Sequence, residues 1–139
     1  MIKEIKNKKT IFGYIIKYNK KKGTNFLTPP KLSHQVASIN HKKNHTIKPH
    51  LHFKNVRKIN YTSEVLLIQK GKLRVDFYST NKKYVFSKIL TKNDIIILLS
   101  GAHGFKVIEP VEMIEIKQGP YYKSHDKVVI RPAPEEKIK

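Results

Sequence analysis

Four residues of this chain have types and spacings that could do chemistry together. His50 and His52 stand two apart in Ile47–Lys54, a segment whose Pro49 suits the start or the edge of a strand. Side chains at i and i+2 of an extended chain share one face, roughly 7 Å apart. Two imidazoles so placed can converge on one metal ion or flank one substrate. Glu64 heads the next apolar run, in alternation with Leu66 and Ile68, and a carboxylate at the head of a buried strand is costly unless paired or bound. His103 lies between Gly101 and Gly104, after the most hydrophobic stretch. Its i+2 and i+4 neighbours, Phe105 and Val107, are apolar, so the pattern turns it inward too. The remaining histidines read otherwise. His41 and His45 flank Lys42-Lys43 in a polar turn, His34 heads a strand as a satisfied core or edge residue, and His125 belongs to a loop outside the pocket. Glu112 and Glu115 read as solvated strand positions.

The elements that must position these residues are strands. Apolar residues come in runs of four to eight, rich in Ile, Val, Phe and Tyr and broken by Gly, Asn, Lys and Pro, with no sustained helical period,. Strands are expected at Thr10–Tyr18, His34–Asn40, Tyr84–Leu90 and Ile95–Leu99, the last buried on both faces, with loops at Asn25–Lys31 and Asn55–Tyr61. Thr62–Gln69 and Lys72–Ser79 read as a hairpin about a Lys70-Gly71 turn, glycine supplying the positive φ of a tight turn. Ser100–Gly104 reads as a turn, and Phe105–Ile108 and Val111–Gln118 as two strands separated by Pro110. Eight or nine short strands without a helix predict an all-β sandwich or closed barrel. It would be a single domain with its core over about 34–120 and charged, flexible ends at Lys20–Lys22 and Pro132–Lys139.

Composition removes several classes of chemistry. The chain has 139 residues and no cysteine, which excludes disulfides and thiolate metal sites. Its longest aliphatic run, Ile95–Leu99, is far short of the roughly 20 residues of a spanning helix, and no secretory signal is visible. A cytoplasmic protein without a membrane partner is expected. The formal charge of +19 suggests a polyanion partner,. However, 26 of the 29 basic residues are Lys. AT-rich coding produces Lys, Ile and Asn alike, whereas nucleic-acid readers favour Arg. With no recognition helix and no aromatic-basic stripe, nucleic acid ranks last among partners.

His50, His52, Glu64, Gly71 seven residues beyond it, and the Gly101…His103 turn after Asn93-Asp94 resemble the two motifs of the cupin superfamily of jelly-roll barrels. Tyr61–Tyr78, His103-Gly104-Phe105 and the run Ile116 to Tyr121 are similar to small single-domain cupins associated with bacterial surface-polysaccharide synthesis. The resemblance implies a pocket lined by His50, His52, Glu64 and His103. These residues would hold a divalent transition metal (Fe, Mn, Ni, Cu or Zn) with positions open to a ligand. A second implied reading is a metal-free epimerase or isomerase of nucleotide sugars. There His50 or His52 is the base, Tyr61 the returning donor, and Lys48, Arg57 and Arg74 bind the diphosphate, although Lys48-Pro49 stands where such enzymes carry Arg-Gly. A third is a ligand-binding module without chemistry. The resemblance also implies a homodimer paired by sheet extension, which would cover an edge strand.

Overall fold

The computed structural model of the chain describes residues 1–18, 20–122 and 126–138. Its strands, in chain order, are β1 (Ile2–Asn7), β2 (Thr10–Lys17), β3 (Gly23–Phe26), β4 (Ala37–Asn40), β5 (Glu64–Tyr78), β6 (Tyr84–Thr91), β7 (Asp94–Leu98) and β8 (Ala102–Lys117). A single 3-10 turn at Glu135–Lys137 follows. The fold is all-β, and among the described residues no helix is long and apolar enough to cross a membrane.

One antiparallel sheet runs β1-β2-β7-β5-β6, with β8 on the other side of β5. It curls into a half-barrel because of what happens midway along β5. The first residues of β5, Glu64–Leu67, pair with β7, whereas Lys72–Tyr78 pair with β6. The β6–β7 turn fills the handover, where the Asn93 N–H donates to the Ile68 carbonyl at 2.7 Å. β8 follows β5 along both halves, its register slipping three times between Ile68 and Leu73. Such bulges bend a strand and increase its twist.

The expected hairpin at Lys70-Gly71 is therefore corrected: both of its arms belong to one strand of 15 residues. Gly71 has the positive φ that was anticipated, +81°, but uses it for a bulge. A Cβ there would land on the carbonyl oxygen of Pro110. The two strands expected about Pro110 are likewise one strand of 16 residues. Proline is tolerated there because, among the described residues, β8 pairs only with β5 and has a free edge,.

Side-chain alternation sorts two apolar layers. Inside the curl lie Phe12, Leu66, Ile68, Leu73, Val75, Phe77, Ile96 and Leu98. Phe12, Phe77 and Phe86 form a ring triad with centroids 5.1–5.7 Å apart. On the convex side Ile16, Val65 and Ile97 are covered by Leu27 and Val36, which flank the β3–β4 ribbon. β7 is thus buried on both faces, as its unbroken aliphatic run predicts. β1 has no counterpart in the sequence reading. It is a lysine-flanked edge strand in which only Ile5 is buried, so it lacks an apolar alternation to read.

Candidate functional site

Glu64 begins β5 on the inner face, two and four residues before the core residues Leu66 and Ile68. His103 enters β8 directly opposite Phe77, whereas Glu64 stands opposite Lys117. They therefore occupy opposite ends of the β5–β8 ribbon. Because the ribbon doubles back at Gly71 and Pro110, the ends meet across the mouth of the curl. There His103 Nε2 donates to Glu64 Oε2 at 3.0 Å. The two side chains are 26% and 21% exposed, sheltered but still reachable. The His103 hydrogen bond, working against burial, holds the Glu64 carboxyl below the usual carboxylate range, helped by the charges of Lys117 and Lys127. A neutral imidazole donating through Nε2 keeps its lone pair on Nδ1. The carboxylate thus orients the ring and, when the imidazole is neutral, leaves Nδ1 as the nitrogen that can act as a base.

Two clefts of about 410 Å³ each adjoin at His103, within the size range of small-ligand sites. One is lined by Tyr61, Ser79, Thr80, Lys82 and Asp126, the other by Glu64, Phe105, Glu115 and Lys127. Val128 and Ile130 wall both, so the C-terminal segment crosses the site as a strap. Its far end is pinned. Glu135 accepts from Arg74 at 2.9 and 3.0 Å and from Lys106 at 2.8 Å, and the Ala133 N–H donates to the Tyr78 hydroxyl at 3.1 Å.

Arg74, followed by Lys106, depresses the Glu135 carboxyl from 4.5 to about 2. A depressed carboxylate contributes its stabilisation above the ordinary value and loses it as pH falls through the folded value. The strap should accordingly stay pinned at pH 5 and loosen between about pH 4.5 and pH 2. Following the Ala133 amide resonance against pH would show this. Glu135→Gln should release the strap already at pH 7.

Of the sequence-predicted residues, the fold brings Glu64 and His103 into contact and Tyr61 onto the same cleft wall. His50 and His52 lie elsewhere, exposed on residues 41–63, which form neither strand nor helix. Pro49 removes a ladder donor, and this stretch joins neither sheet. The expected sharing of one strand face is thus not observed, and the two rings meet edge to face at 5.2 Å. Lys48 and Arg57 are exposed on the same stretch, with the Lys48 carbonyl 3.0 Å from His50 Nδ1. Arg74 is committed to Asp76 and Glu135, away from either cleft. As folded, the proposed ligand set does not assemble a four-ligand centre. Among the described residues no three His, Cys, Asp or Glu side chains are grouped to hold a metal ion.

His34 is satisfied, its Nδ1 2.8 Å from the Ser63 hydroxyl. His41 and His45 are exposed, their rings stacked at 3.7 Å. Glu112 is solvated, paired with Lys70, and Glu115 is exposed at the rim of a cleft. His125 lies outside the described residues. Sequence reasoning missed Ser79, Thr80, Lys82, Asp126 and Lys127, which belong to turns and to the strap and carry no periodicity or motif. Compared with protein-family models, curated proteins and solved structures, the chain matches none.

Proposed function

We propose that this half-barrel is an enzyme of the cupin jelly-roll type acting in bacterial surface-sugar metabolism. In this reading His103, oriented by Glu64, is the general base that removes a proton beside the carbonyl of a keto sugar carried on a nucleoside diphosphate. Tyr61, on the same cleft wall, returns a proton. Lys82 and Lys127 replace Lys48, Arg57 and Arg74 as the cations nearest the ligand's phosphates, and His103 takes the role first expected of His50 or His52. The observation that carries the reading is the Glu64–His103 contact at the junction of two ligand-sized clefts. A positioned histidine base contributes typically 10²–10⁴-fold. Nucleoside-diphosphate keto sugars should raise the melting temperature by mass action and exchange the α-proton for deuterium. His103→Ala should lose the exchange by about 10²–10⁴-fold. No shift and no exchange across such ligands would sink the reading.

A second reading keeps a divalent transition metal. His50 Nδ1 lies at hydrogen-bond distance from the Lys48 carbonyl, which leaves Nε2 free as a ligand in the manner of many metal-bound histidines. Glu64 and His103 supply two donors where catalytic zinc sites use three protein ligands, so His50 and His52 would have to be delivered from residues 41–63. Transition-metal content of the purified protein, lost in the His50→Ala/His52→Ala variant, is the expected result on this reading. Metal retained by that variant, or none taken up on reconstitution, would dismiss it.

The homodimer is proposed at β8. Among the described residues its outer edge is unpaired, Ile114 and Ile116 are 44% and 57% exposed, and an edge of this length invites pairing. Its glutamates and lysines also make it one of the less repulsive stretches of a basic protein. Sedimentation should give a dimer for the wild type and a monomer for Ile114→Lys/Ile116→Lys.

A further inference from the structure

Residues 41–61 carry five Lys, one Arg and four His with no acidic residue, and none of these cations forms an ion pair among the described residues. Leu51, Phe53 and Val56 on the same stretch are 76%, 82% and 99% exposed. Ile47, Ile59 and Tyr61 are also exposed. We propose that this arm is an interfacial anchor that docks the protein onto an anionic lipid surface. Cations would meet headgroup phosphates while the apolar side chains enter the headgroup–acyl boundary. This goes beyond the reading of the cleft and does not depend on it. It also departs from the expectation of no membrane partner, which rested on the lack of a spanning segment; a peripheral contact needs none.

Charge placement supports the choice of partner. The first 63 residues carry 15 Lys or Arg and one acid, whereas the remaining 76 carry 14 and nine. AT-rich coding accounts for abundant lysine, but not for the confinement of nearly all carboxylates to the half of the chain that begins at β5. A second copy of this chain would bring like charges together at the arm. A nucleic acid would use the cations and the two rings, but it offers nothing to Ile47, Leu51, Val56 and Ile59. A surface presenting both negative charge and hydrocarbon satisfies the whole arm. Tyr61, the arm's last residue, stands on the cleft wall, so docking would hold the cleft near that surface.

The test is co-sedimentation of the full chain with vesicles of equal parts phosphatidylcholine and phosphatidylglycerol, beside vesicles of phosphatidylcholine alone. Binding to the mixed vesicles only is expected, weakening as salt is raised. Leu51→Ser/Phe53→Ser/Val56→Ser should fold as the wild type, since all three side chains are exposed, and should bind at least about tenfold more weakly. Lys54→Glu/Lys58→Glu should weaken binding by about fivefold or more per reversed charge. No binding to the mixed vesicles overturns the proposal, as does full binding by the triple serine variant. A single-stranded RNA that binds more tightly than the vesicles, equally to both proteins, would assign the arm to nucleic acid instead.

Discussion

Gly71→Ala is expected to destabilise the protein by about 3 kcal/mol or more and to separate Glu64 from His103. Two costs combine at this position. The backbone has φ +81°, which side chains adopt at a cost of roughly 1–2 kcal/mol. In addition, the new Cβ would overlap the Pro110 carbonyl, where β8 has no slack because it follows β5 on both sides of the bend. Gly23→Ala isolates the first cost: its φ is +83°, with nothing within 4 Å of the added carbon. The excess of Gly71→Ala over Gly23→Ala in denaturant unfolding measures the packing of the bend. The site gives an independent readout. His103 ring resonances that respond to Glu64→Gln in the wild type should cease to respond once Gly71 is replaced. Equal destabilisation by the two alanines would mean that the bend does not depend on the Gly71–Pro110 approach.

The same residue shows where sequence reading stops. A glycine between two alternating apolar runs signals positive φ, and that much is correct. A tight turn and a bulge share the signal. What separates them is whether a partner strand continues past the glycine, and that partner, β8, begins at Ala102, far along the chain. Pro110 misleads for the complementary reason, since a proline ends a central strand but is harmless on a free edge. Where the information is local, little was lost. β2, β6 and β7 fall within one residue of their expected bounds because alternation and polar turns delimit them.

Glu64 shares its face with the core residues Leu66 and Ile68, as its alternation predicts, whereas Phe105 and Val107, the neighbours that turn His103 inward in the sequence pattern, are 41% and 55% exposed. The Glu64–His103 contact was not legible, because it depends on how far the ribbon curls. His50 and His52 failed differently. Alternate spacing places two side chains on one face only where neighbouring strands hold the backbone extended, and residues 41–63 have none. The strap over the clefts has no pattern at all, because it is held by Arg74, Lys106 and Tyr78 rather than by a buried face.

Phe77→Ala is expected to cost about 3–5 kcal/mol, against roughly 5–15 kcal/mol of total stability for a domain of this kind. Phe77 is fully buried and joins the parts of the curl that the backbone leaves separate. It stands opposite Phe86 on β6 and opposite His103 on β8, and its ring contacts Phe12 on β2 at 5.6 Å. Phe12 and β8 belong to different ends of the sheet order, so no hydrogen-bond ladder can replace this contact. Truncation leaves a cavity with strand backbone on both flanks, which cannot easily collapse. Phe77→Leu keeps much of the volume and should cost less than half as much. In a double-mutant cycle with Phe86→Leu, the Phe77–Phe86 pair, 5.1 Å apart and tilted by 40°, should show a coupling of about 0.5–1.5 kcal/mol. A cost below about 2 kcal/mol for Phe77→Ala, under the range for buried aromatics, would mean that the half-barrel relaxes around the gap. Its concave core would then be too soft to hold His103 in register with Glu64.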